Sequence, residues 1–524
     1  MSHEFCQPWW RGAVIYQIYP LSFADSNGDG WGDLRGILNR LDYVASLHVD
    51  AIWLSPFFRS PMRDFGYDVS SHTEVDPLFG TLGDAETVIA EAHRRGLKVI
   101  LDQVWSHTSD QHPWFRASAS DCQGDKADWY IWADASPDGT PPNNWLSVFG
   151  GSAWTWEPRR RQYYLHHFLS SQPKLNLRNP AVLEAILATG RFWLDRGVDG
   201  FRLDAIDFMA HDPTLHSNPA LPPPGGVMPT KPFGLQQHEH DMLHPDALDI
   251  MARIRALTDE YPGTVTLGEV SSQPGAFERI ADYTAGGRLH LGYTLRLLRG
   301  DCSAAAFEAA LQDAASAIDS GGLCWAFGNH DVVRLASRWG GGDPAAARAL
   351  MVLLGSLPGP FCLYQGDELG LPEADLTHEQ LRDPFGIAYW PEFRGRDGGR
   401  TPMPWHAVAP VDEAASWLPV PESHRALAVD RQEHDPDSAL NDWRHFLKWR
   451  RATPVLTHGA IDSVRREGDV LSFERVLGDM RLLCVFNLSP APALFTTDEH
   501  IAMKLGGWGT AYVERDGAAR SIAA

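Results

Sequence analysis

Short apolar runs alternate with amphipathic segments over most of the chain. Eight of these runs are rich in β-branched or aromatic residues, and they occupy residues 13–19, 51–55, 98–104, 199–204, 265–269, 289–295, 323–329 and 361–365. Several intervening segments repeat apolar residues with the period of a helix that buries one face, as at residues 34–47, 84–95 and 180–196. Strands that alternate with helices in this way predict an α/β fold, a parallel (β/α)8 TIM barrel.

Three parts of the chain depart from this alternation. Between residues 105 and 175 the helical period is lost and Trp, Pro and Asp become frequent, which predicts a subdomain inserted after the third strand. Residues 211–245 and 372–410 are too long for plain connections, so we interpret them as loops on the substrate side. Alternating runs near the C-terminus predict an antiparallel β-sandwich. The predicted domains are the barrel (1–104 and 176–456), the inserted subdomain (105–175) and the C-terminal sandwich (457–524).

Charge and cysteine usage narrow the class of protein. The 524 residues carry a formal net charge of -22, which opposes binding to nucleic acid or anionic membranes. The six cysteines are scattered without a CxxC spacing, as expected for reduced thiols. The first ten residues do not form the apolar core of a signal peptide, and the most apolar window is broken by Gly and Pro. We therefore expect a soluble cytoplasmic protein.

Three acidic residues stand at the ends of predicted strands. Asp204 ends the fourth strand, Glu269 ends the fifth and Asp331 follows the seventh. Because catalytic groups of a (β/α)8 barrel lie at the C-terminal ends of its strands, we expect these carboxylates in one pocket. Arg202 shares a strand face with Asp204 and would keep it ionised, whereas the apolar neighbours of Glu269 would raise its pKa. A carboxylate nucleophile beside a carboxylic acid indicates retaining cleavage of a glycosidic bond.

Two histidines and a glycine-rich loop extend this picture. His107 follows the third strand and His330 precedes Asp331, so both are candidates for hydrogen bonds to sugar hydroxyls. The loop after the first strand carries oxygen ligands at alternating positions, which suits a hard cation such as Ca²⁺ or Mg²⁺. We predict a structural cation site, with an ordinary polar turn as the alternative, at Asp25, Asn27, Asp29, Trp31 and Asp33. No organic cofactor is expected.

These motifs together closely resemble those of the α-amylase superfamily of glycoside hydrolases, in particular its α-glucosidase and oligo-1,6-glucosidase branch. The resemblance covers nearly the whole chain. Its specific motifs are Tyr16-Gln17-Ile18-Tyr19-Pro20, Gly66-Tyr67-Asp68, Asp102 with His107, Gly200-Phe201-Arg202-Leu203-Asp204, Gly268-Glu269-Val270, Asn329-His330-Asp331 and Arg400-Thr401-Pro402-Met403-Pro404-Trp405.

The resemblance implies a role for each matching residue. Asp204 would be the nucleophile, Glu269 the acid/base and Asp331 the stabiliser of the transition state. The nonreducing glucose would be bound by Asp68, His107, Arg202, His330 and Arg400, with Asp68 and Arg400 closing the subsite so that single glucosyl units leave from chain ends. Tyr67, Phe149 and Phe168 would form aromatic walls. The partners implied are small α-glucosides and hydroxyl acceptors; a homo-oligomer is left open.

Three departures from the family pattern refine this reading. Ala205 follows the nucleophile where relatives that prefer α-1,6 bonds usually have valine, which favours α-1,4 linkages or sucrose-like substrates. Lys174 stands where the branch usually has aspartate. Ser106 replaces an asparagine that helps to hold calcium in true α-amylases, so a second metal site between barrel and insertion is not expected.

Other functions on the same scaffold remain as alternatives. A transglucosidase or a sucrose-converting isomerase would use the same intermediate and differ in the acceptor that reaches it. The residues after Asp331, Val332-Val333-Arg334-Leu335-Ala336-Ser337-Arg338, lack the RLDRD run of the isomerases. A noncatalytic transporter partner would show damaged acids and a membrane anchor, and the sequence shows neither.

Overall fold

The computed structural model of the protein describes residues 8–223, 227–271, 274–318, 322–408, 416–497, 500, 502–514 and 519–520. Each of the eight predicted strands is present. They are β1 (Val14–Ile18), β2 (Ala51–Leu54), β3 (Lys98–Gln103), β4 (Gly200–Leu203), β5 (Val265–Val270), β6 (Leu291–Thr294), β7 (Trp325–Ala326) and β8 (Phe361–Tyr364). They form one central parallel sheet in the spatial order β6-β5-β4-β3-β2-β1-β8-β7.

The sheet closes on itself between its first and last members. Gly292 of β6 forms a parallel bridge to Leu323, just before β7. The amide of Cys324 donates to the carbonyl of Gly292 over 2.9 Å. The strands are buried almost throughout. This is expected for a barrel, whose inner face is filled by the side chains of its own strands and whose outer face is covered by helices. The predicted (β/α)8 barrel is therefore confirmed.

Helices pack around the barrel and continue into its loops. The α-helices are Pro20–Phe23, Leu34–Asn39, Leu41–Ser46, Leu82–Arg94, Pro113–Ser120, Pro180–Leu194, Asp246–Asp259, Ala276–Thr284, Arg296–Arg299, Ala304–Ala317, Leu335–Arg338, Pro344–Ser356, Pro384–Tyr389, Glu422–Arg425, Val429–Gln432, Ala439–Arg451 and Pro454–His458.

One predicted helix is divided in two. Residues 34–47 form Leu34–Asn39 and Leu41–Ser46, because the backbone of Arg40 leaves the helical region at φ -111° and ψ 6°. Both pieces bury apolar side chains. The apolar period continues across Arg40, so the sequence pattern contains no sign of the break.

The segment inserted after β3 has its own small sheet. Strands Trp132–Ala133, Gln162–Leu165 and Trp154–Glu157 pair in that order as antiparallel neighbours. A hairpin of Phe58–Arg59 with Ser71–Val75 lies earlier in the chain, after β2. These additions stand after β2 and β3, and so at the C-terminal ends of the barrel strands.

The C-terminal part is an antiparallel β domain, as predicted. Its larger sheet contains Ala460–Glu467, Val470–Leu477, Met480–Asn487, Thr510–Glu514 and Ala519–Arg520, and its smaller sheet pairs Ala493–Thr496 with Ala502–Leu505. Arg475 joins this domain to the barrel, since its guanidinium donates to the carbonyls of Ser356 and Gly459 over 2.6 Å each.

The predictions of reduced cysteines and of no membrane-spanning segment can be compared with the described residues. Cys122, Cys302, Cys324, Cys362 and Cys484 are free thiols, and Cys6 lies outside the described residues. Within the described parts of the chain, no helix combines the length and apolar character needed to cross a bilayer.

Candidate active site

The register of three neighbouring strands brings the predicted acids together. Asp102 of β3 lies in register with Arg202 of β4. Leu203 of β4 lies in register with Gly268 of β5, so the next residues, Asp204 and Glu269, emerge side by side. All of these side chains stand at the C-terminal ends of their strands, where a barrel presents its catalytic groups.

Arg202 is the centre of this arrangement and has no exposed surface. One guanidinium nitrogen, Nη1, lies 2.8 Å from Asp102 Oδ1 and 2.8 Å from Asp204 Oδ1. The other, Nη2, donates to Glu269 Oε2 and to the Tyr293 hydroxyl, the latter over 2.8 Å. The guanidinium therefore fixes three carboxylates at once, with the planar geometry that arginine offers.

This geometry corrects one prediction from the sequence. Glu269 is buried and its pKa is raised, as expected. Arg202 was expected to act on Asp204 alone and to keep it ionised, but it bonds to both carboxylates. Burial raises the pKa of Asp204 and of Glu269 to about 7 each, and Arg202 opposes the rise in both. Burial also raises the pKa of Asp102 to about 6 against the same opposition. One positive charge among three buried acids favours retention of a proton in the group.

Each of the two central acids keeps one oxygen directed away from this network. Glu269 accepts at Oε2 from Arg202 and from the amide of Ala205, 3.3 Å away. Asp204 accepts at Oδ1 from Arg202. Both residues line the same cavity. The arrangement therefore leaves Asp204 Oδ2 and Glu269 Oε1 available for a ligand in that cavity.

Asp331 lines the same cavity and belongs to a second hydrogen-bonding network. Its Oδ1 lies 2.7 Å from Arg400 Nη2 and 3.2 Å from Arg396 Nη1. Burial would raise the pKa of Asp331, but the positive charges of Arg396 and Arg400 outweigh burial and hold the pKa well below its usual range. Its pKa is therefore shifted in the opposite direction from those of the two acids beside Arg202.

Several buried donors around Asp331 have no acceptor among the described residues. They are Asn329 Nδ2, His330 Nε2 and Arg400 Nη1. His330 Nδ1 lies 2.7 Å from Gln17 Nε2, which leaves the proton on His330 Nε2, 3.6 Å from Asp331 Oδ2. Unpaired buried donors are expensive, so their clustering here points to a polyhydroxylated ligand that would pair them.

The two predicted histidines are both buried and neutral. Burial lowers the pKa of His107 and of His330 to about 3 each. The ring of His330 stacks on the ring of Tyr67, with centroids 5.2 Å apart and planes 6° from parallel. The imidazole rings of His107 and His330 can therefore serve as neutral hydrogen-bonding groups over a wide pH range.

The cavity has a volume of about 760 Å³. Of the predicted substrate residues, Tyr67, His107, Phe149 and Phe168 line it directly. Arg202, His330 and Arg400 stand behind the lining, where each contacts Asp204, Glu269 or Asp331. The ring of Phe149 contacts Phe168 and Phe385, at centroid distances of 5.9 and 4.6 Å, so these phenyl groups do form an aromatic wall.

Asp68 does not have the predicted place. It is fully buried, and its carboxylate accepts from the Ser60 hydroxyl and from the amides of Arg63 and Asp64. These bonds close the turn at residues 60–64 and direct the side chain away from the cavity. Asp64 lines the cavity instead, with its Oδ1 2.8 Å from Arg396 Nη2.

The predicted partner of that aspartate also changes. Arg396 lines the cavity and joins Asp64 to Asp331 and to the buried Asp383, whose Oδ1 is 2.8 Å from Arg396 Nη2. Arg400 lies deeper, where its Nε donates to the carbonyl of His330 over 2.8 Å. The pair expected at Asp68 and Arg400 is therefore found at Asp64 and Arg396. The sequence contains both pairs at short spacing and does not distinguish them.

Lys174, the departure noted in the sequence, fills a buried position next to the segment that follows Asp204. Its Nζ donates to the carbonyl of Phe208 and, over 3.2 Å, to that of Met209. Burial lowers its pKa to about 7. Ser106, the other departure, lies 2.9 Å from His107 Nδ1 through its hydroxyl.

The glycine-rich loop after β1 wraps around its first acid. Asp25 accepts from the amides of Asn27, Gly28 and Gly30 over 2.8 to 3.0 Å. Within the described chain, the carboxylates of Asp25, Asp29 and Asp33 have no ion-pair partner. The oxygen donors are of the kind that a hard divalent cation prefers. The carboxylates of Asp29 and Asp33 accept hydrogen bonds from within the loop, and among the described residues the three carboxylates do not converge within 4.8 Å.

Comparison with known proteins agrees with this geometry. The family described as alpha amylase, catalytic domain, matches residues 17–459. The chain belongs to the α-amylase family. As a member of that family it is a glycoside hydrolase, and the sequence resemblance is confirmed.

Individual relatives of this α-amylase family member cover nearly its whole length. It is 53% identical over 496 residues to a "Probable alpha-glucosidase" of Rhizobium meliloti (strain 1021), which covers 93% of this chain and 90% of the relative. A solved structure of the alpha-glucosyl transfer enzyme XgtA superposes with a TM-score of 0.94 at 50% identity, over 98% of this chain and all of that one. A trehalulose synthase, MutB, superposes with a TM-score of 0.87 at 28% identity, over 97% and 100%.

The shared titration of Asp204 and Glu269 leads to a pH prediction for this α-amylase family member. The working form needs one acid ionised and the other protonated, so kcat/KM should fall as pH drops below the first proton loss and as it rises beyond the second. With both pKa values near 7, we expect a bell with its maximum near neutral pH. Initial rates on a nitrophenyl glycoside would measure it.

Glu269→Gln provides the matched control. It removes the second titration, so the alkaline limb should disappear, while the activated nitrophenolate leaving group keeps the rate of the variant measurable. A wild-type profile without an alkaline limb, or an unchanged limb in the variant, would contradict the assignment of that limb to Glu269.

Proposed function

We propose that this protein is an exo-acting α-glucosidase that releases terminal glucose from short α-glucosides with retention of configuration. The observation that carries the proposal is the pair of cavity-facing acids, Asp204 and Glu269, held on one buried guanidinium. A shared guanidinium keeps the two carboxyl groups close, as a retaining enzyme needs, rather than leaving room for a water between them. The 53% identical "Probable alpha-glucosidase" supports the substrate class.

The first step is transfer of a glucosyl group to the protein. Asp204 Oδ2 attacks C1 of the glucoside, and the bond from C1 to the glycosidic oxygen breaks. Glu269 gives its proton to that oxygen as it departs, and the glucosyl group is then an ester of Asp204. Glu269 is now a carboxylate, so it can remove a proton from the incoming water, which attacks C1 and displaces Asp204.

The surroundings of Asp331 support exo action on a single glucose. The unpaired donors of Asn329, His330 and Arg400 can bind hydroxyls, while the ionised Asp331 can accept from them. The ion pair of Asp64 with Arg396 lines the cavity and would close its far end. A closed end admits a terminal residue and excludes a continuing chain.

The bond preferred by the enzyme is proposed from the residue after the nucleophile. Ala205 lines the cavity and adopts a left-handed backbone conformation, with φ 45° and ψ 47°. Its methyl group leaves more room than the valine usual in α-1,6-specific relatives. We propose α-1,4-linked, maltose-like substrates, and sucrose as a second substrate.

Transglucosylation is the second candidate activity. The glucosyl ester of Asp204 can be attacked by a sugar hydroxyl as well as by water, and XgtA, at 50% identity, is described as an alpha-glucosyl transfer enzyme. The cavity also includes the apolar side chains of Val332, Val333, Phe385 and Phe393. Such a wall favours an organic acceptor over bulk water. A sucrose-converting isomerase would use the fructose released from sucrose as that acceptor. MutB, described as a trehalulose synthase, is a structural neighbour of this kind.

We also propose that the loop after β1 binds a structural Ca²⁺ or Mg²⁺. Side-chain oxygens of Asp25, Asn27, Asp29 and Asp33, with the carbonyl of Trp31, would provide the ligands. The loop lies outside the cavity lining, so the cation would support the fold rather than take part in catalysis. We also propose a cytoplasmic location, on the basis of the scattered cysteines of the sequence.

Product analysis tests the proposed activity and its rival together. The protein is incubated separately with maltose, isomaltose, sucrose and trehalose, and early products are followed by proton NMR. We expect the α-anomer of glucose before mutarotation, because two displacements restore the configuration. Release should be faster from maltose than from isomaltose, because Ala205 favours α-1,4 bonds. Early β-glucose would contradict double displacement, and trehalulose or isomaltulose as the main product from sucrose would favour the isomerase.

Asp64 and Asp68 offer a matched pair of variants. Asp64→Asn should lower kcat/KM on maltose by about 100-fold, since a hydrogen bond to a charged group is worth up to ~3 kcal/mol. Asp68→Asn should act mainly on the thermal unfolding midpoint, because Asp68 holds a turn and does not line the cavity. Circular dichroism melts and maltose kinetics would distinguish them. The reverse pattern would restore Asp68 as the ligand.

A further inference from the structure

A compact group of metal-ligand side chains lies apart from the catalytic acids, in the loop that follows β4. Asp212 Oδ2 is 3.0 Å from His216 Nδ1 and 3.1 Å from His240 Nδ1. The ligand atoms of the three residues all lie within 4.8 Å of one another. Among the described residues, no other group of three or more His, Cys, Asp or Glu side chains comes together in this way.

The donor set is the one that zinc prefers. Two imidazole nitrogens and one carboxylate oxygen form common three-ligand zinc sites, with bonds of about 2.0 to 2.2 Å. In a tetrahedral site such bonds place neighbouring donors about 3.4 Å apart. The two separations from Asp212 Oδ2 are within a few tenths of an ångström of this spacing. Small side-chain movements would therefore admit the ion.

Asp212 is already positioned for this role by its surroundings. Its other oxygen, Oδ1, accepts from the amide of Thr214 over 2.9 Å and from its hydroxyl over 2.6 Å. This leaves Oδ2 directed at the two rings. The hydroxyl bond from Thr214 is also the largest cause of a pKa of Asp212 below its usual range. The Thr214 hydroxyl lies 2.7 Å from His216 Nδ1 as well, a contact that the ion would replace.

We propose that Asp212, His216 and His240 bind a zinc ion that joins the two ends of this loop. The amide of Asp212 already donates to the carbonyl of His240 over 2.7 Å, so the ion would reinforce an existing closure. The side chain of His216 is 69% exposed, which leaves the fourth coordination position to water.

The consequence reaches the cavity through the chain between the ligands. Between His216 and His240 the loop contributes Pro229, Thr230, Lys231, Phe233 and Gly234 to the cavity lining. An ion at the base of the loop would limit the motion of this wall. We therefore expect zinc to change KM more than kcat. This inference does not depend on which glycoside is cleaved.

The test uses untagged, full-length protein in excess Ca²⁺, so that the loop after β1 is not the site observed. Zn²⁺ is titrated calorimetrically, and Co²⁺ is used as a spectroscopic probe of nitrogen ligation. We expect one site per chain. His216→Ala and His240→Ala should each weaken it at least ~10-fold, because loss of a supporting group alone weakens metal sites by that factor.

Two controls separate this site from adventitious surface binding. His406→Ala removes an exposed histidine that pairs with one carboxylate, Asp430, at 3.4 Å, and Cys122→Ser removes an exposed thiol. Neither change should affect the affinity for Zn²⁺. The proposal is overturned if wild-type protein binds no Zn²⁺, or if the two ligand variants bind it as tightly as the controls do.

Discussion

The guanidinium of Arg202 is the contact on which the active site depends. It is buried at the end of β4 and bonds to Asp102, Asp204 and Glu269. Two charges 4 Å apart interact by about 4 kcal/mol at an effective dielectric constant of 20, so three ionised acids without this cation would repel one another strongly. With it, the cluster can hold two charges and one proton. That composition is what a nucleophile beside a general acid requires.

The second arginine network performs a different task. Around Asp331, Arg396 and Arg400 keep the carboxylate ionised, and Asn329, His330 and Arg400 each retain a buried donor without an acceptor among the described residues. The network around Arg202 therefore holds a proton that can be transferred, and the network around Asp331 holds unpaired donors that can bind a ligand. Both are assembled from strand ends and the loops that follow them, which is why a barrel can bring them to one cavity.

The barrel fold and the positions of its three central acids could be predicted from the sequence, because the periodicity of the strands indicates both where each strand lies and where it ends. Asp204, Glu269 and Asp331 end or follow buried strands, and parallel strands bring such ends together. The division of the helix at Arg40 could not be predicted, since the apolar period continues through it. Asp64 was missed for a related reason. Two aspartates flank Tyr67, and the backbone turn, which the pattern does not specify, decides which one faces the cavity.

The role of Arg202 was half predicted. Its spacing from Asp204 on one strand was readable, but its bond to Glu269 comes from the register of β4 with β5. Arg396 carried no strand signal, because it lies in a long loop whose path depends on tertiary contacts with Asp64 and Asp383.

Trapping the glucosyl ester tests the central claim most directly. A fluorinated α-glucosyl fluoride slows the second step more than the first, so the ester accumulates and can be located by mass spectrometry of peptides. The account predicts one label per chain, on the peptide that contains Asp204, and none in Asp204→Asn. A label on Glu269, or turnover of the reagent with no labelled protein at any time, would contradict it.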